Sequence, residues 1–395
     1  MTRGRLQIPG GMQDTLPSEC RAKRMLESEL RELFTRWGYQ EIETPILEYY
    51  EALSDETWGF RPEHVWKTFD QEGQILAVRP DSTMPAARLA AGRLKDQQLP
   101  LRLCYLQNAC KYERDTLSML SEQTQAGVEL MGVKGPEADA EVIALAVESL
   151  RSVGIRDFQL ELGQAAFFSG FMEEAGLSPE DVSEVRSLVE EKNSLGIQIY
   201  LHGRNLPEDL SGKLMRLPML YGDERVLETA ESMTESEVCL SALRNLRQVV
   251  DMLRTWGIHE EISYDLGMAQ EAAYYSGTVF RAQTGTLGQV LLSGGRYDGL
   301  PARFGRDVPA VGFAMNLKLA LIALERQGMA FEMPVPDLEV GFAPGELDAA
   351  IARVWAERSR GRSAALVYGA TRESMEKRQA MGLCRNMVYL EGKGC

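Results

Sequence analysis

Histidine and cysteine are scarce in this chain, and both are dispersed. The three histidines, His64, His202 and His259, lie far apart in a sequence of 395 residues, so a clustered metal centre is not expected. The six cysteines, Cys20, Cys104, Cys110, Cys239, Cys384 and Cys395, form no CxxC pair and read as reduced thiols of a cytoplasmic protein. No run approaches the roughly 18 apolar residues of a membrane span. The start, Met1-Thr-Arg-Gly-Arg-Leu-Gln-Ile-Pro9, lacks the apolar stretch of a signal peptide. Positive charge is in deficit as well: the net charge is -15, whereas phosphate contacts call for a basic face, so nucleic acid is not an expected partner. Internal repeats and low-complexity tracts are absent. Any chemistry must therefore come from carboxylates, amides, tyrosines and bases.

The length suggests two or three domains with ample apolar content. A helix is predicted from Pro17-Ser18, with Ala22, Met25, Leu26, Leu30, Leu33 and Trp37 on one face and Gly38 ending it. Tyr39–Glu48 reads as extended, with Pro45 marking an edge or bend. Strands are expected at Ile75–Val78, Leu101–Leu106, Thr124–Met131 and Phe158–Leu162, with a helix over Glu137–Val153. Between about Gly170 and Gly257 the pattern turns to polar helices, among them Ser178–Asn193, and resembles an inserted module. Strands return at Ile262–Leu266, Gly277–Ala282 and Gly288–Ser293, followed by a helix near Met315–Arg326. Beyond Pro334 and Pro336 a β-α-β-α-β pattern marks a small unit. The fold class is α+β: an antiparallel-sheet core flanked by helices over residues 1–330, its helical insertion at about 170–257, and a short α/β unit over 331–395.

Four constellations carry chemistry, each with a plainer alternative. In Gln125-Ala-Gly-Val-Glu129 a strand puts Gln125, Gly127 and Glu129 on one face; that face is either a wet sheet surface or a pocket floor with room over the glycine. Arg79-Pro-Asp-Ser-Thr83 offers either a helix N-cap or a carboxylate, Asp81, presented to an ammonium group. Tyr274-Tyr275 are core aromatics, one inward and one outward, or hydroxyls that donate to and accept from an imidazole. Gly294-Gly-Arg-Tyr-Asp-Gly299 fits neither phosphate-loop spacing and reads as a tight glycine turn after a strand ending at Ser293.

In order along the chain, these pieces resemble the core of histidyl-tRNA synthetase, a class II aminoacyl-tRNA synthetase. Pro9-Gly-Gly-Met-Gln-Asp-Thr-Leu-Pro17 looks like its leading segment and Gly38–Pro45 like its first motif, whose proline lies at a dimer interface. Cys110-Lys-Tyr-Glu-Arg114 stands at the second motif, Tyr274–Phe280 and Gly294–Leu300 match the histidine-specific and neighbouring segments, and Pro309–Met315 leads into the third motif. The resemblance implies a pocket for free histidine: Asp81, Thr83 and Gln125 toward its amino group, Glu129 and Tyr275 toward its ring, with Tyr274 among the histidine-binding residues. A carboxylate and a phenol facing two ring nitrogens would reject side chains that leave them unpaired.

The departures concern ATP. Three arginines that the family uses against phosphate are replaced by Lys111, Gln270 and Leu319. Losing one preorganised cation typically costs a few kcal/mol in the transition state, so efficient adenylation is not expected. Lys111 and Gln270 remain as candidates to meet the histidine carboxylate. The loop Leu117–Glu122 holds no cation, and the C-terminal arginines Arg358, Arg360, Arg362, Arg372 and Arg378 read as a solvated surface balanced by glutamates. A kept histidine pocket beside a degraded ATP site is similar to the regulatory subunits of ATP phosphoribosyltransferase. That resemblance implies no catalysis and no cofactor, a short-form catalytic subunit as partner, L-histidine as effector, and a homodimer within a larger hetero-oligomer. Two alternatives stay open: an active histidyl-tRNA synthetase drawing ATP contacts from Arg114 and Lys318, and a stand-alone histidine-sensing module.

Overall fold

The computed structural model describes residues 6–54, 65–111, 122–202, 204, 207–268, 274–331 and 333–392. The chain begins with α1 (Pro17–Arg36), β1 (Gln40–Glu41), β2 (Leu47–Tyr49), α2 (Tyr50–Leu53), β3 (Lys67–Phe69), β4 (Ile75–Val78), α3 (Thr83–Ala91), β5 (Leu101–Cys110), β6 (Glu122–Met131), α4 (Pro136–Ser152) and β7 (Gln159–Gln164). Helices α5 (Ala165–Glu174), α6 (Pro179–Glu190), α7 (Ser194–Leu201) and α8 (Glu208–Arg216) precede β8 (Tyr221–Gly222), α9 (Arg225–Glu231) and α10 (Glu237–Thr255). Then come β9 (Ile262–Asp265), β10 (Thr278–Gln283), β11 (Val290–Arg296), α11 (Gly299–Arg303), β12 (Ala310–Asn316) and α12 (Leu317–Arg326). The chain closes with β13 (Leu338–Phe342), α13 (Leu347–Ser359), β14 (Ala364–Val367), α14 (Arg372–Ala380) and β15 (Asn386–Leu390). Contacts divide it into two compact units, Met1–Ala330 and Phe331–Cys395.

The larger unit is built on a nine-stranded sheet, counted among the described residues, in the order β1-β5-β6-β12-β11-β10-β7-β9-β8. Its pairs are antiparallel except β1 with β5 and β7 with β9. Strand β6 is buried without interruption from Thr124 to Met131, because helices cover one face and the polar site fills the other. Helix α1 buries Ala22, Leu26, Leu30, Leu33 and Phe34, and Phe34 meets Phe313 of β12 edge-on at 6.2 Å. Met25, expected on that stripe, is exposed; the buried arc turns toward Phe34 instead. Trp37 stacks on Trp256 at 5.1 Å. Helix α10 packs on α4 and α5 with Cys239, Ala242, Leu243, Leu246, Val249, Val250 and Leu253 buried at helical spacing. The insertion is not purely helical, since β8 adds Tyr221 and Gly222 to the sheet edge beside β9.

The glycine pair also departs from expectation. Gly294 and Gly295 are no turn; they sit inside β11, paired with β10 on one side and β12 on the other. They are glycine because of crowding. A Cβ on Gly295 would come within 2.8 Å of the Tyr275 ring, and one on Gly294 within 2.6 Å of Phe280. Period and composition signalled the glycines but not the strand, because tight neighbours across a sheet are invisible in one dimension.

The smaller unit is a parallel sheet, β14-β13-β15, around Leu338, Val340, Ala350, Val354 and Ala364. Its arginines are engaged. Arg360 and Arg362 reach buried Glu357, Arg372 reaches Glu391, Arg378 reaches Glu339, and Arg358 donates to the Ala364 carbonyl. Among the described residues no helix is long and apolar enough to cross a membrane.

Candidate functional site

The site begins with a buried arginine. Arg79, just past β4, donates to the carbonyls of Thr44 (2.5 Å) and Asn108 (2.6 Å) and to the Gln107 amide oxygen (3.1 Å). Those bonds tie the first-motif segment to the end of β5 and set the turn that follows. Asp81 then accepts the Met84 N–H at 3.0 Å, so this carboxylate caps α3 while Ser82, at the cap position, makes no side-chain cap bond. The capping reading of Asp81 holds, and the same geometry puts its charge near Glu129, Tyr274 and Tyr275.

Glu129 is the centre. It is 0% exposed, on the face of β6 opposite to Val128 and the α1 contact. Tyr105 of β5 donates to its Oε1 at 3.1 Å, and Tyr297 donates to Oε2. Thr83 bonds it as well. Gly312 of β12 makes room, since a Cβ there would strike the carboxylate. Burial pushes Glu129 up to about 7, against the hydrogen bonds from Tyr297, Thr83 and Tyr105, and Asp81 raises it further by like charge. Asp81 is itself raised by burial, with backbone bonds to Met84 and Thr83 and the charge of Lys111 holding it down.

Tyr274 and Tyr275 follow the pattern of neither strand face. Both pack on the cluster around Tyr297 and Leu300, their ring centroids 4.9 Å apart, and Tyr274 meets Tyr297 edge-on at 6.0 Å. Neither points outward. Burial raises both hydroxyls, Tyr274 well above the ordinary phenol range. Gln125 lies two positions along the same face of β6 from Gly127. Its Oε1 is buried and has no hydrogen-bond partner among the described residues, an acceptor without a donor. The nest thus holds two carboxylates, four phenols and an open amide oxygen, and chemically it suits a cationic ligand with several N–H donors.

Beside the nest, sharing Gln125, lies a cavity of about 680 Å³ whose walls include Lys111, Asp265, Arg281, Ser293, Lys318 and Leu319. Its cations are engaged. Arg281 is clamped between Glu161 and Asp265, the latter at 3.3 Å, and Lys318 is 3.9 Å from Glu19. Leu319 stands on the first turn of α12, where its N–H is taken by the Asn316 side chain. Among the described residues the one arginine lining this cavity, Arg281, is thus held by carboxylates rather than presented as a fork to phosphate.

The structure brings Asp81, Thr83, Gln125, Glu129, Tyr274 and Tyr275 together and puts Lys111 on the adjoining wall. Gln270, Arg114 and the loop residues 117–121 lie outside the described residues. Sequence reasoning missed Tyr105 and Tyr297. Tyr297 was inside a segment already singled out, but read as a turn. Tyr105 faces Gly127 across the β5–β6 pair, a signal that exists only once the strands are in register.

The histidyl-tRNA synthetase family model matches residues 11–319. The ATP phosphoribosyltransferase regulatory subunit of Acetivibrio thermocellus is 43% identical over 337 residues, 85% of this chain and 81% of the relative. That of Desulforamulus reducens is 36% identical across 100% of this chain and 98% of the relative. A crystal structure from Bacillus halodurans, described as an ATP phosphoribosyltransferase regulatory subunit/histidyl-tRNA synthetase, superposes with a TM-score of 0.85 at 30% identity, covering 98% of this chain and 99% of that one. Likeness over so much of both lengths makes this chain a member of the ATP phosphoribosyltransferase regulatory subunit family, built on the histidyl-tRNA synthetase fold.

Proposed function

We propose that this chain binds L-histidine in the Glu129 nest and, without catalysing a reaction itself, activates the short-form catalytic subunit of ATP phosphoribosyltransferase and makes it answer to histidine. The observation that carries the reading is the acid-and-phenol nest, in which buried Glu129 is met by hydroxyls alone, joined to a cavity that has Leu319 and clamped Arg281 where phosphate would need free cations. The histidine ammonium takes Asp81, Thr83 and the open Gln125 Oε1; the ring lies between Glu129 and Tyr275; the carboxylate faces Lys111. Binding unequal by about 1–3 kcal/mol between two assembly states gives a roughly 5–150-fold effect on the partner.

The working unit is a homodimer through the first-motif segment, within a larger cytoplasmic hetero-oligomer. Exposed Ile46, Leu47 and Tyr49 support that contact. Leu47 and Tyr49 lie on one face of the small β2-β4-β3 sheet, apolar surface of a kind that marks protein contacts.

The test is phosphoribosyl transfer by the short catalytic subunit, with and without this chain, across a histidine titration. Stimulation followed by loss of activity as histidine rises is expected. Absence of stimulation removes the proposal, and histidine-dependent ATP–pyrophosphate exchange then decides for a synthetase. Glu129→Ala and Tyr275→Phe are expected to weaken histidine while leaving partner assembly intact.

A further inference from the structure

Hydrogen-bond donors are few in the nest and acceptors are many. Each phenol has one proton to give. Those of Tyr105 and Tyr297 go to opposite oxygens of Glu129, and the Thr83 hydroxyl bonds the same carboxylate. Tyr274 and Tyr275 are hydrogen-bonded to each other, which uses a third phenol proton. The space over Gly127 is filled too, since a Cβ there would come within 2.6 Å of the Tyr105 hydroxyl. Against these stand the carboxylates of Asp81 and Glu129, and Gln125 Oε1, which has no donor among the described residues. Charge is as one-sided. The groups that act most strongly on Glu129 are Tyr105 of β5, Thr83 and Asp81 at the start of α3, and Tyr297 after β11. Tyr274 and Tyr275 feel its charge from the segment before β10, Gly312 of β12 adds none, and the charge of Lys111 falls on Asp81. A neutral imidazole would bring one N–H and one bare nitrogen, whereas an imidazolium brings two N–H donors and a positive charge. Only the second meets both deficits.

We infer that the nest holds L-histidine with its ring as the imidazolium cation against Glu129, so that binding from mildly alkaline solution carries in a proton and the histidine signal depends on pH. This rests on the histidine reading of the nest and deepens it. The proton comes from solvent. At pH 8 both partners are largely unprotonated when apart, Glu129 because its value is about 7 and the free ring because its ordinary value is about 6.5. The complex, with one proton between them, therefore gains one. Well below those values each partner already carries a proton, and the complex releases one. Affinity is greatest between the two values and falls about tenfold from pH 7 to pH 8.5.

The test binds L-histidine, labelled with nitrogen-15 at both ring positions, to the full chain at pH 8. Its nitrogen NMR spectrum is expected to show two protonated ring nitrogens, where free histidine at that pH shows one protonated and one bare. Calorimetry at pH 8 in HEPES and in Tris, buffers of unlike ionisation enthalpy, should return an uptake of about one proton per site. A bound ring with one bare nitrogen overturns the inference and leaves the histidine reading standing, whatever the calorimetry gives. Uptake below about 0.3 proton does the same. From pH 7 to pH 8.5 the wild type should lose about tenfold in affinity and Glu129→Gln less than threefold. Equal losses assign the proton to another group and overturn the inference as well. Absence of histidine binding overturns both readings.

Discussion

Arg296 and Tyr297 are neighbours in sequence, yet each ends on a different buried carboxylate. Arg296 pairs with Asp139 at 2.6 Å and also holds Asp298, Val133 and Gly135, fastening the start of α4 to β11. Tyr297 donates to Glu129. Both acids are almost wholly removed from water and both are raised by burial, Asp139 to about 6 and Glu129 to about 7. The difference is compensation. Asp139 has a guanidinium and the Thr278 hydroxyl; Glu129 has hydroxyls alone, with a second carboxylate nearby. A buried charge matched by a cation is structure, and one met only by neutral donors awaits a ligand.

The largest test of this contrast is Arg296→Met, which strands Asp139 in the core and should cost about 3–5 kcal/mol of unfolding free energy. Urea denaturation measures it, and a loss below about 1 kcal/mol would erase the distinction. The second is pH. The folded Glu129 pKa, about 7, is above its ordinary 4.5, so its contribution to stability is complete below about 4.5 and lost as pH rises through 7. Relative to Glu129→Gln, the ligand-free wild type should therefore lose about 3 kcal/mol between pH 4.5 and 8. Paired melting curves across that range give the slope, and a difference that grows in the opposite sense contradicts the assignment.

Next in size is the affinity of Glu129→Gln at pH 8. Hydrogen bonds to charged groups contribute about 1.5–3 kcal/mol, so L-histidine should bind on the order of 10- to 150-fold more weakly, although the ligand-free variant is no less stable. Calorimetry with unaltered affinity would move the ligand out of the nest. The smallest effect expected is that of Tyr297→Phe. Removing one of the donors that hold Glu129 down raises that carboxyl further and weakens L-histidine about three- to tenfold, near 1 kcal/mol; an affinity profile against pH that shifts upward distinguishes this from simple loss of packing.

Much of the fold could be read from pattern. The α1 stripe, β4, the polar face of β6 and the five elements of the C-terminal unit lie where periodicity and the Gly and Pro punctuation indicate, because these depend on local spacing. Failures came where neighbours from distant segments intervene. Met25 is exposed while Phe34 is buried against Phe313 of β12, a partner 279 residues further along the chain. Gly294 and Gly295 read as a turn until Tyr275, Phe280 and β12 crowd them. In the site, Asp81, Thr83, Gln125, Glu129 and the tyrosine pair were recognisable through their order along the chain, while Tyr105 was not, since its partner Glu129 lies 24 residues away on the adjoining strand.

By itself the sequence determined the chemistry available to this protein: carboxylates, phenols and amides in a recognisable order, with Lys111 and Leu319 where phosphate-gripping arginines would stand. It also determined the division into a large α+β core and a short α/β unit, because apolar periodicity is local. Only the tertiary structure decided which groups compensate which. Arg281 could have met a ligand but is clamped by Glu161 and Asp265, and Glu129 could have been paired with a cation but is surrounded by hydroxyls. Electrostatic energy depends on distances of a few ångströms and on the exclusion of water, and neither exists until the strands are in register.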